Sequence, residues 1–233
     1  MPAPLAEVRT WVFDLDNTLY PASSSLFDQV DRRMGAFVAE RFGLPFEAAR
    51  AEQKRLFREH GTTLRGLMVE HGVDPVAFMD HVHAIDLTHL DPDPRLSLAL
   101  ARLPGRKVVY TNGSVAHAAR VTARLGIDRH FDATFDIAAA GWVPKPDPAP
   151  YRVMLERFGI DPAGAAMVED IARNLAPAAA LGMTTVWVRS DLDWAKAGAA
   201  AAHVHHETDD LAAFLLAVTG EEGRAESGDS LIW

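Results

Sequence analysis

The sequence predicts an α/β protein: a parallel β-sheet with helices on its faces, interrupted after its first strand by an all-helical insert. Three features of the 233 residues carry this expectation. A short run of β-formers near the start ends in carboxylates. Residues 21–90 show only helical periodicity, and from residue 92 onward strand-like and helix-like segments alternate.

Residues 10–15 (TWVFDL) are apolar and rich in β-formers, which suits a strand buried on both faces. Over 25–42 the apolar residues Leu26, Val30, Met34, Phe37, Val38 and Phe42 recur at three- and four-residue intervals, the pattern of an amphipathic helix, with Ser25 and Asp28 placed as a capping box. Helical readings continue over 45–60 and 64–71, punctuated by Gly43, Gly61 and Gly72, and over a segment that opens at Asp74-Pro75 and runs through Ile85. Asp91-Pro92-Asp93-Pro94 reads as a hinge. Beyond it, strands are expected at 107–111, 133–137, 166–169, 184–188 and 203–205, and helices at 114–125, 149–158, 172–181 and 209–218. The polar stretch that closes the chain, 221–233, is expected to be a poorly ordered tail.

Composition narrows the function. With 48% hydrophobic and 24% charged residues, disordered, collagen-like and coiled-coil classes are excluded. The 23 Lys+Arg against 32 Asp+Glu give a net charge of -9, which repels polyanions and argues against a nucleic-acid polymer or an acidic membrane as partner. Any bound phosphate must therefore be held locally. The absence of cysteine rules out disulfides, thiolate chemistry and thiolate metal sites. Residues 1–10 lack the apolar core of a secretory signal, and no stretch approaches the ~18 apolar residues of a membrane span, so a soluble, cytoplasmic protein is expected. Its oligomeric state is not legible.

Four segments fall at the C-terminal ends of expected strands, or just after them, where open α/β sheets place their ligands. Asp14-Leu15-Asp16-Asn17-Thr18 offers two carboxylates one residue apart, one to face metal and substrate and one to handle protons. Tyr110-Thr111-Asn112-Gly113 offers a hydroxyl and an adjacent backbone N–H to phosphoryl oxygens, with glycine permitting close approach. Pro144-Lys145-Pro146 fixes a single lysine, and Val168-Glu169-Asp170 adds a second acidic pair suited to a hard cation such as Mg²⁺. Gathered around one cleft, they would transfer a phosphoryl group. Taken singly, each has an ordinary explanation: a turn or helix cap for the Asp pair, a strand-to-helix turn for Thr111-Asn112-Gly113, a solvated surface position for Lys145. Their joint order is what speaks for a site.

In that order the motifs resemble the haloacid dehalogenase-like (HAD) superfamily of aspartate-nucleophile phosphatases. The resemblance reaches to about residue 218 and implies a Rossmann-like core over 1–20 and 92–220, with 21–91 in the position of that superfamily's C1 cap. A finer resemblance is to the pyrimidine 5′-nucleotidase branch. It is carried by Asp14-Leu15-Asp16-Asn17-Thr18-Leu19-Tyr20-Pro21, by Gly61-Thr62-Thr63-Leu64-Arg65-Gly66-Leu67, and by Val168-Glu169-Asp170 followed by Asn174-Leu175. The resemblance implies Asp14 as the nucleophile that forms an aspartyl-phosphate, and Asp16 as the group that protonates the leaving alkoxide and then activates water. It implies Mg²⁺ held by the Asp14 side chain, the Asp16 carbonyl and Asp170, with Glu169 and Asn174 behind these ligands. Asn17, Thr111, Asn112 and Lys145 would hold phosphoryl oxygens, with Thr111 and Lys145 also serving the chemistry.

Arg65 is the candidate for contact with the leaving group, a cap-to-core salt bridge being its alternative. Asn174 stands where many members of the superfamily place an Asp, and Glu169 where the nucleotidase branch has one, which leaves open which carboxylate reaches the metal. Asp16 argues for ester cleavage over dehalogenation, for which the superfamily usually lacks that carboxylate. The implied substrate is a small phosphorylated molecule, a nucleoside 5′-monophosphate. Another phosphoester such as a sugar phosphate or pyridoxal phosphate, a mutase, and a phosphate-binding module without turnover remain as alternatives. The histidines at 81 and 83 and at 203, 205 and 206 read as packed or solvated. His117, one turn into the helix after Asn112, lies within reach of the phosphate, with packing as its alternative.

Overall fold

The sheet is organised by its first strand, Thr10–Phe13 (β1), all four residues of which are buried. Alternate side chains of a strand face opposite sides. Trp11 and Phe13 accordingly join one hydrophobic cluster with Leu56, Leu64, Leu100 and Val109, while Val12 joins another with Val108, Tyr110, Tyr151 and Met167. The computed structural model describes residues 3–220, and the tail expected at 221–233 lies outside the described residues.

After β1 come four helices: α1 (Leu26–Phe42), α2 (Phe46–His60), α3 (Thr63–His71) and α4 (Pro75–Val82). α1 packs on α2 and α4, and α2 on α3. The chain then runs through α5 (Pro94–Arg102), β2 (Arg106–Tyr110), α6 (Val115–Leu125), β3 (Ala133–Phe135), α7 (Pro148–Phe158), β4 (Ala165–Glu169), α8 (Leu175–Ala180), β5 (Thr184–Val188), β6 (His206–Thr208) and α9 (Leu211–Val218). All strand pairs are parallel, in the order β3-β2-β1-β4-β5-β6. The α/β class and the parallel sheet are as the sequence predicts. From β1 the chain builds outward on one side through β2 and β3, then returns to the other side for β4, so a crevice opens at the strand ends where the order reverses. Phe13 pairs with Val109 and with Val168, which delivers Asp14 into that crevice beside the ends of β2 and β4.

Four local readings are corrected. The Pro-rich stretch read as a hinge begins α5: the Asp93 side chain accepts the Leu96 N–H at 2.8 Å, and Pro94 takes the first helical position, where its missing N–H costs nothing. Ser25 forms no capping box. It leaves a 3-10 turn in the left-handed conformation (φ 54°), not the extended one that a capping side chain needs. The helix expected at 172–181 divides into a 3-10 turn, Ala172–Asn174, and α8. The last strand forms at 206–208, not 203–205, because His203 and His205 are drawn into bonds with main-chain groups: His203 Nε2 lies 3.0 Å from the Ala172 carbonyl, and His205 Nδ1 accepts the Thr185 N–H at 3.1 Å. Among the described residues no helix is long and apolar enough to cross a membrane.

The turn into β2 depends on Gly105. Its φ is +85°, and a Cβ there would sit 2.2 Å from the Arg9 carbonyl oxygen, which itself accepts the Arg106 N–H at 2.9 Å. Gly105→Ala should cost about 3 kcal/mol through backbone strain and the displaced β1–β2 bond. Urea unfolding would show it as a lower midpoint, and an unchanged midpoint would contradict this account.

Candidate active site

The ends of β1, β2 and β4 and the loop before α7 each contribute polar side chains to one cavity of about 530 Å³. Asp14 leaves β1, and the chain turns at once. Leu15 is buried in the core, and Asn17 takes a left-handed conformation (φ 64°) that Asn tolerates better than most residues. The turn brings Asp14, Asp16 and Asn17 to the same cavity wall. Thr111, Asn112 and Gly113 follow β2, Lys145 comes from the loop before α7, and Glu169 and Asp170 stand at the end of β4.

Lys145 is buried, not solvated. Its ammonium donates to Asp14 Oδ1 at 2.5 Å, Glu169 Oε1 at 2.9 Å and the Tyr110 carbonyl at 3.0 Å. The Asn112 side chain brackets the lysine's main chain, accepting its N–H at 2.9 Å and donating to its carbonyl at 3.5 Å. The Asn112 amide is thereby committed to Lys145, which leaves its backbone N–H to face a ligand, the donor that the sequence reading set beside the Thr111 hydroxyl. Burial alone would discharge the lysine, but the charges of Asp14 and Glu169 outweigh it and hold the ammonium protonated.

Glu169 has both oxygens engaged: Oε1 by Lys145 and by Asn174 Nδ2 at 2.6 Å, Oε2 by the Ile171 N–H at 2.6 Å. Asp170 differs. Its Oδ2 is buried with no hydrogen-bond partner, while its carbonyl accepts the Trp187 indole N–H at 2.7 Å. Carboxylate oxygens of Asp14, Glu169 and Asp170 lie within 4.8 Å of one another. Burial raises the Asp14 carboxyl to about 7 despite Lys145, with the charges of Glu169 and Asp16 adding to the rise. Burial likewise drives Asp170 well above the usual carboxylate range, helped by Glu169 and Asp14. Three buried carboxylates against one ammonium, with one oxygen left unpaired, fit a hard divalent cation held by oxygen ligands.

Asp16 is in the opposite state. Burial would raise its pKa, but the charge and hydrogen bond of His117 and the hydroxyl of Tyr20 outweigh burial and bring it to about 2. Tyr20 donates to Oδ1 at 2.6 Å, and His117 Nε2 lies 2.9 Å from the same oxygen. The His117 ring stacks on His83, with centroids 4.2 Å apart and planes at 7°. His83 Nδ1 lies 2.9 Å from Ser114 Oγ, and burial followed by the charge of His117 lowers the His83 imidazole to about 3. Tyr20 was visible only as part of a motif without a role, although a side chain four residues after Asp16 on a tight turn can fold back to it. His83 was read from the sequence as packed or solvated; it is packed, against the His117 ring.

Thr111 Oγ1 accepts the Gly113 N–H at 2.8 Å, which leaves its O–H to donate towards the cavity. Arg65 is not brought to the cavity. The Thr62 side chain caps α3 by accepting the Arg65 N–H at 3.1 Å, so Thr62, Thr63 and Leu64 line the wall, and the next residue is turned about 100° away. The cations that line the cavity beyond Lys145 are Arg50, Lys54 and Arg173, none of them singled out by the sequence. Arg50 is paired with Asp31 at 2.5 Å, and Arg173 lies 5.9 Å over the Phe57 ring.

Several known proteins are similar to this chain. The family model for haloacid dehalogenase-like hydrolases matches residues 8–182. Phosphate metabolism protein 8 of Saccharomyces cerevisiae is 26% identical over 200 residues, covering 78% of this chain but 62% of that protein, so the chain spans less than two thirds of its length. Glyceraldehyde 3-phosphate phosphatase of Pyrococcus furiosus is 28% identical over 200 residues, 79% of this chain and 82% of that one. The structure of a HAD phosphatase from Thermococcus onnurineus superposes with a TM-score of 0.61 at 16% identity, over 91% of this chain and 98% of its own, a likeness of fold.

The raised Asp14 carboxyl has a thermodynamic signature. A carboxyl whose folded-state pKa lies above its unfolded value of 3.8 favours folding below that pH and loses its contribution as pH rises to about 7. With divalent cations chelated, the melting temperature of the native chain should fall relative to that of Asp14→Asn between about pH 4 and pH 7, and the gap should level off above. Parallel melting curves across that window would show that Asp14 is not held out of its charged state.

Proposed function

The chain belongs to the haloacid dehalogenase-like hydrolase family, and on that footing we propose a Mg²⁺-dependent phosphomonoesterase that works through an aspartyl-phosphate on Asp14, with a pyrimidine nucleoside 5′-monophosphate as substrate. The observation that carries the reading is the contrast between two carboxylates of one turn. Asp14 is packed among acids and held by one ammonium at 2.5 Å, whereas Asp16 is held by a phenol and an imidazole on a single oxygen. Paired carboxylates in opposite environments take different roles.

In the first step an Asp14 oxygen attacks phosphorus, the bond to the leaving alkoxide breaks, and Asp16 gives that oxygen a proton through Oδ2. In the second, water attacks phosphorus, passes its proton to Asp16, and releases phosphate from Asp14. Asp16 is ionised at rest, which suits the second step. For the first it must take up a proton, which the approach of a phosphate dianion favours by raising its pKa. Lys145 screens the nucleophile from Glu169, and Thr111, Asn17 and the backbone N–H of Asn112 receive the phosphoryl oxygens. The Asp14 and Asp170 side chains and the Asp16 carbonyl would hold Mg²⁺, which supplies charge neutralisation for the phosphoryl group in transit. The unpaired oxygen of Asp170 and the committed oxygens of Glu169 favour this division, with Glu169 and Asn174 behind the ligands. The presence of Asp16 favours ester cleavage over dehalogenation.

We assign residues 21–91 as a cap over a core made of 1–20 and 92–220, because helices α1 to α4 supply the cavity walls facing the strand ends. Phe27 and Phe57 of the cap, with Trp142 and Trp194 of the core, give the cavity flat apolar surfaces that a base would stack on, and Arg50, Gln53 and Thr62 supply polar edges. A small sugar phosphate is the second reading, favoured by the similarity to a glyceraldehyde 3-phosphate phosphatase.

Phosphate release from UMP, CMP, purine monophosphates, sugar phosphates and pyridoxal phosphate, with Mg²⁺ or a chelator, separates these readings. We expect Mg²⁺-dependent turnover of UMP or CMP, and a loss of at least about a thousandfold in Asp14→Asn. Turnover confined to a sugar phosphate would keep the chemistry and replace the substrate. In a Mg²⁺ titration, Asp170→Asn should need more than about tenfold higher metal for half-maximal activity, and Glu169→Gln less than that. The reverse order would exchange their roles.

A further inference from the structure

We infer that His117 is a positioning residue that fixes the acid–base carboxylate of Asp16 relative to the phosphate-holding loop, an inference that rests on the phosphatase reading above. Asp16 Oδ1 receives both the Tyr20 hydroxyl at 2.6 Å and His117 Nε2 at 2.9 Å. With one oxygen doubly occupied, Oδ2 is the oxygen left to exchange protons with substrate and water. Turning the carboxylate over would break two part-buried hydrogen bonds at once.

The two donors do different things. Tyr20 stands four residues from Asp16 on the same turn, so its bond is local to that segment and does not tie the carboxylate to the phosphate-holding loop. His117 comes from α6, 101 residues away, and α6 begins directly after Thr111, Asn112 and Gly113. The N-cap of that helix, Ser114, accepts the His117 N–H at 3.3 Å and lies 2.9 Å from His83 Nδ1. His117 therefore ties the proton-transferring group to the segment that cradles the phosphate. Its ring is closed from above by His83, which follows α4 and stacks on it at 4.2 Å, so the seated helical insert shields the bond from water.

The chemistry of the ring also argues against a packing role alone. Because Asp16 Oδ1 is the acceptor, His117 presents Nε2–H, and Nδ1 is left buried with no partner. An orphaned buried polar atom costs stability that an aliphatic side chain of similar size would avoid. The histidine keeps that cost and in return makes a single polar contact by its ring, the one to Asp16.

The test compares two esters that differ in their need for an acid: 4-nitrophenyl phosphate, whose phenolate departs without a proton, and an unactivated alkyl phosphate, whose alkoxide requires one. Turnover by the native chain that vanishes in Asp14→Asn establishes the phosphatase reading independently of His117. In His117→Leu, kcat/KM for the alkyl ester should fall about a hundredfold, while that for the nitrophenyl ester stays within about threefold. In His117→Gln, whose amide places a donor where Nε2 was, most of the alkyl loss should be recovered. Equal losses on both esters, or no recovery in a folded Gln variant, would overturn the inference and leave the phosphatase reading standing. No turnover of either ester by the native chain would overturn both. Imidazole ¹⁵N resonances give a readout free of activity and of the folding of any variant: His117 Nε2 should carry the proton it donates to Asp16, and a bare Nε2 would end the proposal.

Discussion

One buried ammonium sets the terms for the rest of the site. Lys145 sits between Asp14 and Glu169 with almost no exposure, and neither carboxylate could be buried there unless it did. Holding it in place takes several parts of the fold: the Tyr110 carbonyl at the end of β2, the Asn112 side chain clamped on its main chain, and the face of the Tyr110 ring 5.0 Å from its nitrogen. Even so the balance is incomplete, because Asp170 brings a third carboxylate that no ammonium meets. The fold thus builds a deficit of positive charge into a dry place. Under the proposed function a divalent cation would remove that deficit and let a phosphate dianion approach the same spot, coupling metal and substrate electrostatically.

The second constraint is the turn after β1. Leu15 is fully buried, and with its side chain anchored in the core the carboxylates on either side of it open towards the cavity in different surroundings. Asp14 faces the acids at the end of β4; Asp16 faces Tyr20 and the imidazoles of His117 and His83. Two identical side chains two residues apart consequently sit on opposite sides of the usual carboxylate range, about 7 and about 2. No special residue type is needed for this division, only two neighbourhoods that meet at one strand end.

Sequence alone disclosed the parts of this arrangement that are written locally. The β1 run, the periodic helices and the four polar segments at strand ends are patterns of neighbouring residues, and Asp14, Asp16, Asn17, Thr111, Lys145, Glu169 and Asp170 all reach the cavity those segments imply. What it did not disclose depends on residues distant in the chain. His83 and His117 are thirty-four positions apart and meet only because α4 ends over the start of α6. The grip of the Asn112 side chain on Lys145 shows only once two distant loops meet, and Arg65 reads as a substrate contact until the Thr62 cap fixes which side of α3 faces inward. The start of α5 was misread for a different reason: Asp93-Pro94 carries both a break and a beginning, and only the bond from Leu96 N–H to the Asp93 carboxylate decides between them.

The cavity divides recognition between two kinds of element. Strand ends and the loops after them hold the groups that the proposed function sets on a phosphoryl group, whereas α1, α2 and α3 supply Phe27, Asp31, Arg50, Gln53, Phe57 and Thr63 on the facing walls. The strand ends are fixed by the ladder of β1 with β2 and β4, so the reacting groups cannot drift independently of one another. The helices are joined to the core by side-chain packing and by bonds from α6 to the segment after α4, where Arg120 donates to the His83 and Ile85 carbonyls, so the walls that α1, α2 and α3 supply can change without disturbing the ladder. Asp31 shows the arrangement: it is held by Arg50 and Gln53 within the insert, so its charge is settled there and does not reach the acids around Lys145. A substitution among these walls should therefore alter which ester is accepted while leaving the two-step chemistry intact. His83 is the exception, since it belongs to the insert yet closes over His117, and through it the position of the insert bears on the carboxylate that moves the proton.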